Sequence, residues 1–184
     1  MIRIGVLVSG TGSNLQALID ELHGSAVEIA AVCSNRAEAG GLELARSAGI
    51  ETGVFDDQLA MGRWLVSRSV RLVVCAGYMR ILPPAFLELF DGKVINVHPS
   101  LLPAFKGAHA IEDALAAGVG ETGVTVHWVD HGVDTGPTIA QERVAVNYSE
   151  MPEALRARIH AVEHRILPAT VRKLARELEA VEEL

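Results

Sequence analysis

The feature that most constrains this chain is an alternation. Short, continuously apolar runs take turns with helix-length segments through about the first hundred residues. The apolar runs fall at 2–8, 29–33, 72–76 and 94–97, with a weaker one at 53–55; helical spacing fills 14–22, 41–48, 61–68 and 84–90. A strand with one solvated face alternates apolar and polar residues, whereas these runs do not alternate and so predict strands buried on both faces. Repeated strand–helix units of this kind predict an α/β fold with a doubly wound, mostly parallel sheet. After Gly107 come a helix at 109–117 and two longer strands at 123–129 and 138–146, which the loop 130–137 joins as an antiparallel extension. The last segment predicts a long C-terminal helix: Leu155, Ile159, Val162 and Ile166 recur every three or four residues, as do Val171, Leu174, Leu178 and Val181. Pro168 is expected to bend or interrupt it. From Glu150 onward seven acids and six bases predict a solvated face of mixed charge. At 184 residues the expectation is a single domain, 1–184. Within it, 1–95 would supply mainly phosphate- and substrate-binding units, and 96–184 the catalytic motifs and ligand loops.

Composition narrows the function classes. Sixteen basic against 23 acidic residues give a net charge of −7 with no long basic run, which argues against a nucleic-acid partner. Aromatic residues make up 4% of the chain, too few for a base-stacking platform. No apolar stretch approaches the length of a membrane span, and the N-terminal run is too short for a signal peptide. Cys33 and Cys75 sit in apolar runs without Cys-x-x-Cys spacing, so buried free thiols and a reducing cytoplasm are expected.

Three stretches break the apolar pattern. Ser9-Gly10-Thr11-Gly12-Ser13-Asn14 links the first strand to the first helix, where backbone N–H groups can meet an anion. Leu15 stands where a dinucleotide fingerprint needs a third glycine, so Gly12, Ser13 and Asn14 point to a phosphate monoester, the plain alternative being a tight turn with Ser13 as N-cap. In Val94-Ile95-Asn96-Val97-His98, Asn96 and His98 share one face at the C-terminal edge of a buried strand. An amide and an imidazole placed together suit polarisation of a carbonyl oxygen. Either Asp130 or Asp134, in the Gly-containing loop that follows, could orient the histidine; Asp134, between glycines, has the freer backbone. Arg80 is the only charge in the apolar loop 76–82, suited to a ligand carboxylate or to a surface ion pair. The pairs His127/His131 and His160/His164 lack metal-site order, and Ser100 lacks a nucleophile elbow.

Asn96-x-His98-Pro99-Ser100-Leu101-Leu102-Pro103, followed by Gly107 and Asp134-x-Gly136-Pro137, resembles the signature of the folate-dependent formyltransferases. Ser9-Gly10-x-Gly12-Ser13-Asn14, Gly77-x-Met79-Arg80-Ile81-Leu82 and Glu163-His164 match in order, over about residues 2–175. The set is most similar to the branch of the family that formylates glycinamide ribonucleotide. The resemblance implies a Rossmann-like formyltransferase fold. It also implies passage of the formyl group of 10-formyltetrahydrofolate, as co-substrate, to the amine of glycinamide ribonucleotide in de novo purine synthesis. It assigns catalysis to Asn96, His98 and Asp134, phosphate and ribose binding to Gly12, Ser13, Asn14 and Glu163, and folate contacts to Met79, Arg80, Ile81, Leu82, Asn96 and Asp134. Arg80 would face the glutamate tail. No metal, nucleic acid or membrane is implied, and the assembly would be a monomer or homodimer in the cytoplasm. Relatives that formylate methionyl-tRNA read His-Gly-Ser where this chain has His98-Pro99-Ser100, and they carry an RNA-binding domain; those that hydrolyse the folate carry a regulatory one. With 184 residues leaving no room for either, a small acceptor is expected. A non-catalytic phosphate or nucleotide sensor is the alternative from another class. The stretch 50–72 is shorter than in several relatives, and Lys106 is given no role.

Overall fold

The computed structural model describes residues 1–182; residues 183 and 184, included in the expected domain, lie outside the described residues. The described chain forms one seven-stranded sheet in the order β3-β2-β1-β4-β5-β6-β7. Its strands are β1 Ile2–Val8, β2 Val27–Ser34, β3 Glu51–Val54, β4 Leu72–Cys75, β5 Val94–His98, β6 Glu121–Trp128 and β7 Thr138–Ala145. The first five run parallel, while β6 pairs antiparallel with β5 and β7 antiparallel with β6. The helices are α1 Ser13–Leu22, α2 Gly40–Ser47, α3 Gln58–Val66, α4 Pro84–Glu88, α5 Ala110–Ala116 and α6 Pro152–Glu182.

The continuous apolar runs have the predicted cause. Successive side chains of a strand point to opposite faces, and here both faces are covered. Ile4, Val6, Val8, Val74, Ile95, Val97, Val124 and Val126 pack with α1, α2 and α6. Leu7, Val73, Cys75 and Val94 turn the other way, onto Met61 and Leu65 of α3 and Phe86 of α4.

Pro168 does not interrupt the last helix. The residue lies inside α6, which continues as helix to Glu182. Proline in a helix interior costs about 3 kcal/mol. Leu155, Ile159, Leu167 and Val171 are all buried in the core on that helix, and each contributes about 1.5–3 kcal/mol. Burial therefore outweighs the missing N–H bond.

The order of strands places a ligand crevice. The chain leaves β1 through α1 toward β2 on one side, then returns through α3 to β4 on the other. Open α/β sheets bind ligands at such a reversal, beyond the carboxyl ends of the strands. The two loops at this point are tied together: Ser9 N–H donates to the Gly77 carbonyl (3.0 Å), and Met79 N–H donates to Ser9 Oγ (2.9 Å).

Candidate active site

β5 and β6 pair so that Asn96 faces His127 and His98 faces Thr125. Four polar side chains thus occupy one face where neighbouring positions are apolar. The loop 99–107 crosses this face, and Gly123 on β6 makes room for it: a Cβ there would come within 2.4 Å of the Leu101 side chain and 2.2 Å of the Glu142 carbonyl oxygen.

Asp134 joins the row from the loop after β6. Its Oδ2 lies 3.4 Å from His98 Nδ1 and its Oδ1 lies 3.6 Å from His127 Nε2. Gly107 N–H donates to Asp134 Oδ2 at 2.8 Å. Burial pushes the Asp134 carboxyl up, but contact with His127, the Gly107 N–H and the charges of the two imidazoles outweigh it, so the carboxyl titrates below its ordinary range. The backbone of Asp134 is left-handed (φ 53°), the unusual conformation that its glycine neighbours suggested. Asp130 plays a different part: it accepts from Gly132 N–H and Thr135 Oγ1 and shapes the loop.

The proton positions follow from the acceptors. His98 Nε2 is 2.8 Å from the Phe105 carbonyl oxygen, which can only accept, so Nε2 carries a proton. A proton on Nδ1 as well satisfies Asp134, making the imidazolium the form that uses both partners. His127 Nδ1 faces the Trp128 carbonyl at 2.8 Å and carries a proton; its Nε2 lies beside Asp134 Oδ1 and 3.3 Å from Asn96 Nδ2. The Asn96 amide lines the cleft beside this ring, where an N–H can meet a ligand oxygen.

These groups form the polar base of a cleft of about 350 Å³, whose lining includes Met79, Ile81, Leu82, Val129 and Val133. That size suits a small-molecule site. Met79, Ile81 and Val133 are exposed apolar side chains, a surface that a flat apolar ligand would cover. The start of α3 braces the same loop. Gln58 Nε2 donates to the Ile81 carbonyl (3.0 Å) and to the Tyr78 hydroxyl (3.3 Å), while Arg80 Nη1 donates to the Asp56 carbonyl (2.9 Å). The 50–72 stretch thus has a structural role, and Arg80 reaches the cleft edge while paired with the Asp56 carboxylate (3.3 Å), the surface ion pair that its sequence setting also suits.

Gly12, Ser13, Asn14 and Glu163 form a separate cluster at the start of α1. Gly12, not Ser13, is the N-cap, with φ 83° and no side-chain cap, so the N-cap reading of Ser13 is corrected. A Cβ on Gly12 would come within 2.5 Å of Gly41 Cα, so α2 packs directly on the turn. The first helical bond runs from Gln16 N–H to the Gly12 carbonyl. The N–H groups before it have no helical partner and are donors that can meet an anion. Asn14 (8% exposed) donates from Nδ2 to Glu163 Oε2 at 3.3 Å, and Glu163 is 6% exposed. Burial pushes the Glu163 carboxyl up to about 7 against the lowering effect of Asn14.

Sequence reasoning set His127 aside as half of an unconvincing metal pair, yet the structure places it against both Asn96 and Asp134. The overlooked signal was period 2: Thr125 and His127 are polar at alternate positions of an apolar run, as Asn96 and His98 are. His160 and His164 stack on α6 with ring centroids 6.3 Å apart. Among the described residues no group of three or more His, Cys, Asp or Glu side chains is placed to hold a metal ion, and no helix is long and apolar enough to cross a membrane. Cys33 and Cys75 are free and buried, and burial raises both thiols to about 12.

The family model described as formyl transferase matches residues 2–171. Phosphoribosylglycinamide formyltransferase of Haemophilus influenzae is 40% identical over 94% of this chain and 86% of its own length. The human trifunctional purine biosynthetic protein adenosine-3 is 44% identical over 94% of this chain; the chain spans 18% of that protein, and 14–18% of the similar trifunctional proteins from other animals. Among solved structures, glycinamide ribonucleotide transformylase 1 from Symbiobacterium toebii superposes with a TM-score of 0.92 at 44% identity, covering 96% of this chain and 89% of that one.

Proposed function

The chain belongs to the formyl transferase family, and on that premise we propose that it passes the formyl group of 10-formyltetrahydrofolate to the amine of glycinamide ribonucleotide. The products are formylglycinamide ribonucleotide and tetrahydrofolate, in purine synthesis in the cytoplasm. The observation that carries the proposal is the placement of Asn96, His98 and Asp134 together at the polar base of an apolar cleft, whose Gly77–Met79 wall is bonded to Ser9 in the loop leading to the Gly12 turn. The cleft fits the folate: Met79, Ile81, Leu82 and Val133 offer apolar cover for a pterin, and Arg80 offers a cation at the edge for its glutamate tail. Gly12, Ser13 and Asn14 receive the phosphate of the acceptor, and Glu163 its ribose.

When bound, the folate supplies a formyl carbonyl to be attacked by the acceptor amine. An N–H of Asn96 donates to the formyl oxygen, and the positive charge of His98 sits beside it as that oxygen gains electrons. Asp134 keeps His98 charged and oriented, and relays the proton lost by the attacking amine to the folate nitrogen as the bond between that nitrogen and the formyl carbon breaks. His127 holds the Asn96 amide in place. Turnover is measured spectrophotometrically with the two substrates, and His98→Ala is expected to lower kcat by about 10²–10³, the usual cost of removing one group that stabilises a developing oxyanion. Near wild-type turnover by that variant overturns the assignment, and formate release without acceptor identifies a hydrolase instead.

A further inference from the structure

The polar row does not end at the cleft. In the β6–β7 ladder Thr125 pairs with Gln141, so His98, Thr125 and Gln141 stand side by side across three strands. From this row we infer that Gln141 on β7, which does not line the cleft, is a positioning residue for His98 and Asp134; the inference rests on the functional reading above. Gln141 Nε2 donates both of its protons, to the Leu102 carbonyl (3.0 Å) and to Thr125 Oγ1 (2.9 Å). Thr125 Oγ1 also accepts from Leu102 N–H (3.2 Å) and donates to the Ser100 carbonyl (2.7 Å). Both neighbours of that hydroxyl other than Ser100 are obligate donors, so every proton in the clamp has one direction. Three backbone groups of the loop are fixed within three residues.

The loop hands this order on. Ser100 Oγ donates to the Ala104 carbonyl (2.6 Å), and Ala104 N–H donates to the Leu101 carbonyl (3.0 Å). The next residue, Phe105, presents its carbonyl to His98, and Gly107 presents its N–H to Asp134. Phe105 is left-handed (φ 53°) without being glycine, a conformation that persists only where the surroundings hold it. Without the clamp, the loop relaxes at Phe105 and the two contacts that set His98 and Asp134 are loosened together. Displacements of about 1 Å at a reacting centre cost up to about 10²-fold in rate even when the substitution lies far away.

The test compares wild type with Gln141→Leu, which removes both donors from an exposed position on an edge strand, and with Gln141→Lys, which keeps donors within reach. Turnover, both KM values, melting temperature and the His98 Nε2–H proton resonance are measured for each. In Gln141→Leu, kcat is expected to fall about 10-fold with both KM values little changed, and the His98 resonance to shift or broaden. Gln141→Lys is expected to recover most of the rate and the wild-type resonance. An unaltered resonance in Gln141→Leu overturns the inference, whether kcat is kept or falls only in step with melting temperature. If wild type fails to turn over glycinamide ribonucleotide, the functional reading fails, while the resonance still decides whether Gln141 holds the imidazole.

Discussion

Glu163 is a carboxyl almost without solvent, with Asn14 donating to one of its oxygens, and nothing in the free protein satisfies Asn14 Oδ1 among the described residues. The cost is legible in its titration. Its ordinary value of 4.5 is raised to about 7 by burial, so between those values the folded chain holds a proton that the unfolded chain has lost. The unfolded state then binds fewer protons, and stability falls as pH rises through that window. A shift of this size corresponds to up to about 3 kcal/mol. Glu163→Gln removes the ionisable group and offers Asn14 Oδ1 an N–H donor. Its melting temperature is expected to exceed that of wild type by several degrees at pH 8, with the difference shrinking toward pH 5, while KM for the ribonucleotide rises. A melting curve parallel to wild type across that range contradicts the account. With Glu163 in its proposed place at the acceptor ribose, stability is given up at a binding residue, a common trade in enzymes.

At the scale of elements, the site is assembled from strand ends and the loops that follow them. Period 2 along β5 was readable in the sequence and puts Asn96 and His98 on one face. The partner strand was readable as a strand, but its register was not, because register is set by pairing and loop geometry rather than by local composition. A slip of one residue would have turned His127 and Thr125 away from Asn96 and His98. The turn at Gly12 is an element of the same kind, its need for glycine doubly imposed by φ 83° and by the approach of Gly41. Gly12→Ala is therefore expected to lose about 1–2 kcal/mol from the left-handed backbone alone, with more from the displaced α2. Urea unfolding reads that loss, and KM for the phosphorylated acceptor should rise more than KM for the folate. A variant with unchanged midpoint and KM would show that α2 yields freely.

For the whole molecule, one sheet separates two apolar layers. Leu167 of α6 is fully buried on one side, and Phe86 of α4 is fully buried on the other. Leu167→Ala is expected to cost about 2–5 kcal/mol and Phe86→Ala about 3–5 kcal/mol. Sharing no layer, the two losses should add within about 0.5 kcal/mol in the double variant; a strong deviation in denaturant unfolding would mean that strain passes through the sheet. The same two-layer arrangement explains α6. Local rules put a break at Pro168, but a helix carrying Glu163 to Asn14 is packed along its apolar side onto α1, β6 and β7, and its packing overrides one missing bond.

The sequence by itself determined the class of fold, because continuous apolar runs separated by helical periods can be buried only in a sheet covered on both faces. It also marked Asn96, His98 and the turn at Gly12, because polar residues and glycines in those places contradict their apolar surroundings. The contact of Asp134 with His98, the recruitment of His127, the pairing of Asn14 with Glu163 and the clamp at Gln141 were decided only by tertiary structure. They rest on contacts between residues 31 to 149 positions apart, and such contacts depend on register and helix docking, which no local pattern encodes.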